Sequence, residues 1–356
     1  MQVNSLNSIE GELVQGDICV SIIEPVQVNC IYLKLKGYEQ AQVQVTKSVP
    51  DYSNSHHHGG HGHGHGGHGG HGHGGHGHAS VPTKTITETY HEKREIFRHK
   101  VIIMHQKCTL IPGSYQFPFS FYLDNNLPGS FTAEFARGKG QVFYKIKGEV
   151  DVQSSSLFDK NIKGKCPIVI NELLQKQLNI QSNYKEGNVT FLCCFKKGTA
   201  SMAMTFDKNA YAPGECVNLQ IHVDNTNSTA KLQGISLKLV QTVNLTARGM
   251  KSREEVIVCK SSSGPVLPGG KEDRILMLPL PANLEQTSRG GALANCTYSL
   301  YVALKVPYSP DIKLSQDVQI YMPSLPQFQM MNQLPPGWNP TVFPVCAIDS
   351  KSYVHY

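Results

Sequence analysis

Hydrophobic and polar residues alternate along most of this chain. Ile31, Leu33 and Leu35 interleave with Tyr32, Lys34 and Lys36, and Val142, Tyr144 and Ile146 interleave with Phe143, Lys145 and Lys147. Leu219, Ile221 and Val223 do the same against Gln220, His222 and Asp224, as do Leu300, Val302, Leu304 and Val306 against Tyr301, Ala303 and Lys305. Period two puts one face of each segment in a core and the other in water, as the strands of an antiparallel sandwich require. Turn formers separate these segments at short intervals: Gly16-Asp17, Gly113, Asn125-Asn126, Pro213-Gly214, Asn225 and Pro268-Gly269-Gly270. Short strands with regular turns predict an all-β fold of sandwich type. Helical spacing is confined to Ile170–Leu178, INELLQKQL, which predicts one short helix-like piece.

The segment Leu110–Phe131, LIPGSYQFPFSFYLDNNLPGSF, is the most informative. A Pro-Gly turn leads into alternating aromatics at Tyr115, Phe117, Phe119 and Phe121. Pro118 interrupts the run, and a residue that cannot donate to a ladder marks a sheet edge or a bulge. A second turn, Leu127-Pro128-Gly129-Ser130, closes the unit. Further on, QKQLNIQSNYKEGN turns polar and loses alternation, which predicts an inter-domain connection near residues 176–188. The expected organisation is a first sandwich over 1–178, a linker over 179–188, a second sandwich over 189–326 and an irregular tail over 327–356.

The two-turn pattern resembles a hallmark of the arrestin family, L-x-x-G-x-[YH]-x-F-P-F-x-F-x-L followed by LP-x-SF. Gly11–Ile22 (GELVQGDICVSI) and Ile31–Gly37 (IYLKLKG) fit the start of that family's first domain. Phe191–Asn225 resembles the start of its second: a strand with Cys193-Cys194, then Y-x-P-G-E, then an alternating strand. Leu237–Gln241, LKLVQ, matches the strand after it. The resemblance covers nearly all of 10–326, and the paired cysteines and the FPF wording place it closer to the α-arrestin branch (arrestin-domain-containing proteins) than to receptor-desensitising arrestins. It implies two immunoglobulin-like antiparallel β-sandwich domains in tandem, the arrestin fold, hinged in the middle and concave on one side.

Composition narrows the function classes. The formal charge is +6 with histidine neutral. Residues 1–178 carry 17 Lys/Arg against 15 Asp/Glu, and 179–356 carry 16 against 12. Along the sequence the excess is spread, which argues against a nucleic-acid-binding arm and leaves weak attraction to acidic membranes or phosphorylated tails. The first twenty residues hold no apolar block of the signal-peptide kind, and no apolar run reaches the ~18 residues of a membrane-spanning helix. The expected location is cytoplasmic, peripheral at most at the plasma membrane or endosomes. Ten cysteines show no disulfide-like or zinc-like spacing and read as reduced core residues. In that compartment the sequons at Asn188, Asn227, Asn244 and Asn295 carry no meaning.

Residues 56–78 contain only histidine and glycine, eleven and twelve of each. The histidines are His56, His57, His58, His61, His63 and His65, then His68, His71, His73, His76 and His78. Glycine-rich chain pays the largest entropy on ordering, so the tract belongs at a hairpin tip where insertions cost little. Three readings stay open. The tract is a solvated repeat without a selected role, or a binder of Zn, Cu or Ni through its imidazoles, or a pH sensor titrating near ~6.5.

Catalytic patterns are missing. The chain has no G-x-S-x-G, no Walker loop, no H-E-x-x-H and no C-x-x-C, and His91-Glu92 lies in HEKRE without a second histidine. A non-enzymatic protein with no required cofactor is expected. Proteins of the resembled family act as trafficking adaptors, and α-arrestins often recruit HECT-type ubiquitin ligases through P-P-x-Y motifs. The nearest match is Pro335-Pro336-Gly337-Trp338, with Trp338 in place of tyrosine. Either Pro335, Pro336 and Trp338 dock a WW domain, or Trp338 packs the tail onto a sandwich. The phosphate-sensing role of receptor-desensitising arrestins is not carried over, because Gln2–Ile23 contains no Lys or Arg. Lys34 and Lys36 share a strand face and read as the wet side of a sheet. The leading expectation is an adaptor that binds cytoplasmic parts of membrane cargo by edge-strand pairing or through its domain faces, for trafficking or ubiquitin-dependent endocytosis. The alternatives are a retromer-type coat subunit of the same fold, or a metal-binding protein acting through the His/Gly loop.

Overall fold

The computed structural model describes residues 2–4, 8–9, 11–51, 83–153, 161–174, 180–191, 195–323, 341–342 and 346–347. Among them every regular element is a strand. The first unit holds β1 (Gln2–Asn4), β2 (Ser8–Ile9), β3 (Leu13–Ile22), β4 (Val26–Pro50), β5 (Thr83–Met104) and β6 (Cys108–Leu110). It continues with β7 (Gly113–Tyr122), β8 (Phe131–Phe135), β9 (Gly138–Val152), β10 (Ile162–Ile168) and β11 (Ile170–Asn171). The second unit holds β12 (Gln181–Phe191), β13 (Phe195–Phe206), β14 (Ala210–Tyr211), β15 (Cys216–Asp224) and β16 (Gly234–Ala247). It is completed by β17 (Met250–Ser262), β18 (Lys271–Pro279), β19 (Ala294–Lys305) and β20 (Ile312–Ile320). From the tail come β21 (Thr341–Val342) and β22 (Cys346–Ala347).

One sheet of the first unit runs β1-β3-β7-β21 with β22 also on β7, and the other runs β10-β9-β4-β5 with β6 on β4 and β8 on β9. The second unit stacks β12-β13-β15-β18 against β14-β20-β19-β16-β17. The orders β10-β9-β4-β5 and β20-β19-β16-β17 correspond strand for strand, so the second unit repeats the layout of the first.

The alternation does what it predicts. Ile31, Leu33 and Leu35 are fully buried, as are Leu300, Val302 and Leu304. Tyr115, Phe117, Phe119 and Phe121 all enter the first core. The ring of Tyr144 lies against Gly37, where a Cβ would overlap it, and its hydroxyl donates to Pro128 O at 2.7 Å. The seven cysteines whose side chains are described are free thiols.

Three sequence expectations are corrected. The described part of Ile170–Leu178 is not helical: Ile170–Asn171 pairs in parallel with Ser8–Ile9. Ile170 is fully buried, and its carbonyl accepts from Ser130 N at 2.7 Å, so tertiary partners override the local spacing. The polar stretch expected as a linker over 179–188 is largely strand, because Gln181–Phe191 pairs with β13 along its whole length. Only its outer-strand position explains the polarity, since an edge tolerates polar side chains. Gly16-Asp17 is not a turn but lies inside β3, opposite Phe119 and Pro118.

Candidate functional site

The hallmark turn Leu127–Ser130 is where the two units meet. A loop of the second unit, residues 280–293, leaves β18 and reaches across before β19 begins. Gln286 Nε2 donates to Ser130 O at 2.8 Å and to Ile170 O at 3.0 Å, and its Oε1 accepts from Glu172 N at 3.3 Å. Ser288 Oγ donates to Gly129 O at 2.8 Å. Gly129 leaves room for this approach, since a Cβ would press on Gln286 at 3.1 Å. Apolar contact completes the seam: Leu245 and Ala294 pack on Gly140, and Leu245 also closes on Gly138.

Two carboxylates are buried in this seam. Glu39 occupies an inward slot of β4 and is fully buried; its Oε2 accepts from Leu293 N at 2.9 Å, while Oε1 faces Arg94 at 3.8 Å. Glu172 accepts from Arg289 N. Buried carboxylates that accept backbone N–H groups fix one relative placement of the segments that carry them. The seam therefore sets how the two sandwiches sit.

A second site is the edge of β7. On one side β7 pairs antiparallel with β3 from Gly113 to Tyr122. On the other it pairs in parallel with the chain's own tail: Thr341 and Val342 lie beside Tyr115 and Gln116, and Cys346 and Ala347 beside Phe119 and Ser120. Pro118 lies between the two stretches of β7 that these pairings cover. The edge that Pro118 marks is thus real, but this chain's own residues occupy it.

The histidines from His56 to His78, and Pro335, Pro336 and Trp338, lie outside the described residues. β4 and β5 stay paired out to Pro50 and Thr83, so the His/Gly tract joins the two ends of a hairpin, as expected. Among the described residues no three His, Cys, Asp or Glu side chains gather to hold a metal, and no helix is long and apolar enough to cross a membrane. Sequence reasoning missed Glu39 and Gln286. Glu39 carried a signal, a carboxylate at an inward position of an alternating run, whereas nothing in the polar loop around Gln286 marked it.

Comparison with known proteins agrees with this architecture. The family description "Arrestin (or S-antigen), N-terminal domain" matches residues 8–175, and "Arrestin (or S-antigen), C-terminal domain" matches residues 196–325. Arrestin domain-containing protein A of Dictyostelium discoideum is 24% identical over 343 residues, 95% of this chain and 53% of its own length. Arrestin domain-containing protein 17 of Caenorhabditis elegans is 25% identical over 342 residues, 90% of this chain and 68% of its own length. Phosrestin-1 of Drosophila melanogaster is 26% identical over 186 residues, 51% of this chain and 46% of its own length. The chain thus spans about half the length of the first of these relatives. With both domain signatures in order and two sandwiches of matching layout, the chain belongs to the arrestin family, in its arrestin-domain-containing (α-arrestin) branch.

Proposed function

We propose that this chain is a non-enzymatic adaptor on the cytoplasmic side of membranes, which holds extended segments of membrane proteins and presents them to trafficking machinery. The observation that carries the reading is the β7 edge, which already accepts two short stretches of the chain's own tail in parallel register. Strand addition draws affinity from main-chain hydrogen bonds and therefore tolerates varied sequences, which suits an adaptor with several cargoes. The family supports the same reading. Recruitment of a ubiquitin ligase through Pro335, Pro336 and Trp338 is the finer proposal, in which a proline-rich segment docks a WW domain at little entropic cost.

A photo-crosslinking residue at Gln116, on the outer side of β7, tests the adaptor reading in cells. The expected products are adducts with cytoplasmic tails of membrane proteins, increased when the chain is truncated after Gln327 and the edge is vacated. Adducts confined to the chain's own tail, or a stoichiometric coat complex recovered instead of transient cargo, would overturn it. Trp338→Ala is expected to abolish ligase recovery with the thermal midpoint unchanged. A lowered midpoint with ligase still bound would mean that Trp338 packs instead of docking.

A further inference from the structure

The outer face of the β10-β9-β4-β5 sheet concentrates charge that the sequence scatters. Register aligns Lys100, Lys34, Lys147 and Lys165 in one cross-strand row, and Arg98, Lys36 and Lys145 in the next. The row before them holds Tyr32, Glu149 and Lys163. The two rows after them hold Glu95, Tyr38 and Phe143, then Lys93 and Gln40. These five rows carry nine cations and two carboxylates, an excess larger than the +6 of the whole chain. Asp151 lies one row outside, beside Cys30.

This arrangement works against the sheet. Lys34 faces Lys100 on one side and Lys147 on the other, Lys147 also faces Lys165, and Lys36 stands between Arg98 and Lys145. Like charges directly opposite on neighbouring strands destabilise. Burial pulls the Lys34 ammonium below its ordinary value, and Lys100, Lys147 and Lys36 pull it the same way against Glu149. The two carboxylates are already engaged: Glu149 with Lys147 at 2.9 Å and Lys163 at 3.8 Å, Glu95 with Arg98 at 2.5 Å and Lys36 at 3.1 Å. Lys100 instead sits over the Tyr32 ring at 4.4 Å, and Lys93 and Lys145 over Tyr38 at 4.6 and 4.8 Å. Glu149 also stands 4.0 Å from Lys34, and two carboxylates shared among nine cations leave a net excess of seven positive charges on this face, whose complement is an anionic surface.

We propose that this face docks onto an anionic lipid bilayer. Four strands span about 15 Å and the five rows about 26 Å, a broad surface of side chains, with the outer backbone edges of β10 and β5 at its rims and not on the face. Eight of the nine cations are lysines. Ammonium groups on flexible stems suit a diffuse, mobile layer of headgroups, whereas recognition of a defined phosphopeptide favours the guanidinium fork, present here only in Arg98.

The test uses the full chain with phosphatidylcholine vesicles, with and without phosphatidylserine, at neutral pH. Each lysine near an anionic surface is worth about fivefold in partition, so Lys100→Gln with Lys165→Gln is expected to weaken binding roughly 25-fold. Lys313→Gln on the second unit, and deletion of residues 56–78, are expected to leave partition unchanged. Were the double variant to misfold, Lys145→Gln alone is expected to show a fivefold loss with an intact thermal midpoint. Equal partition to both vesicle types, undiminished binding by the variants, or binding to a polyphosphoserine peptide but not to vesicles would each overturn the proposal. Purified chain and vesicles suffice, so the outcome is independent of the adaptor reading.

Discussion

The sheets β10-β9-β4-β5 and β20-β19-β16-β17 share a strand order, yet their outer faces have different chemistry. On the first, lysine faces lysine across strand after strand. On the second, the corresponding rows are mixed: Lys260, Lys238, Tyr301 and Ser315 in one, Ser262, Ser236, Ala303 and Lys313 in the next. Lys238 still faces Lys260 there, but it is a single such pair, while Arg253 is answered by Glu255 at 2.6 Å and Asp317 accepts from Ser299 at 2.7 Å. The inward positions of both sheets are mostly apolar and buried, Leu33, Leu35 and Ile146 in one and Leu237, Leu239 and Leu300 in the other. A duplicated layout therefore constrains what faces the core and leaves the wet face free to diverge. The seam diverges too: β4 brings the buried carboxylate of Glu39 to it, and β16 brings Leu245.

The largest effect is expected at that seam. Glu39→Ala leaves Leu293 N without its acceptor in a buried site, and should cost about 3 kcal/mol in denaturant unfolding, while Glu39→Gln, which keeps an acceptor, should cost less. Equal costs for the two would mean that Glu39 only fills space there.

Acid should separate the two faces next. Burial alone would raise the Glu149 carboxyl, but Asn161, Lys147 and Tyr32 overcome it and hold it at about 2, against an ordinary 4.5. A depressed pKa contributes stability that is complete above the ordinary value and lost as pH falls toward the folded value. Unfolding free energy should therefore drop between pH 4.5 and about 2, by an amount on the order of 1–3 kcal/mol for this group, and thermal midpoints should fall with it. Glu149→Gln should flatten that part of the profile, and an unchanged profile would remove Glu149 from the account.

Smaller still is charge reversal. Lys100→Glu places a carboxylate opposite Lys34 and should raise stability by about 0.5 kcal/mol, while Lys313→Glu, opposite Ala303, should change it by no more than tenths. Matching effects at both positions would erase the contrast between the faces. The smallest expected effect is that added salt raises the stability of the natural chain by screening its lysine rows, by about tenths of a kcal/mol, and raises that of the Lys100→Glu variant less.

Much of the fold was legible because alternation writes burial directly into sequence. Phe117, Leu35 and Leu300 all lie where their period puts them. Ile170–Leu178 and residues 179–188 misled because both are short or polar, and their state depends on partners distant in sequence: Ser8–Ile9 for one and β13 for the other. The β7 edge was half legible. Pro118 announced an edge, but nothing local said that residues 341–347 would pair with it.

By itself the sequence determined the strands, the faces they bury, the duplication into two sandwiches and the family, because period-two burial and turn chemistry are local. The tertiary structure decided which surfaces matter. Lys34, Lys100, Lys147 and Lys165 are far apart in the chain, and net charge counted along it looks even; only the register of four strands sets them side by side. The same holds for Glu39 and Leu293, joined by one hydrogen bond across 254 positions. Pairing between distant segments is set by packing and ladder register, and no window of neighbouring residues contains it.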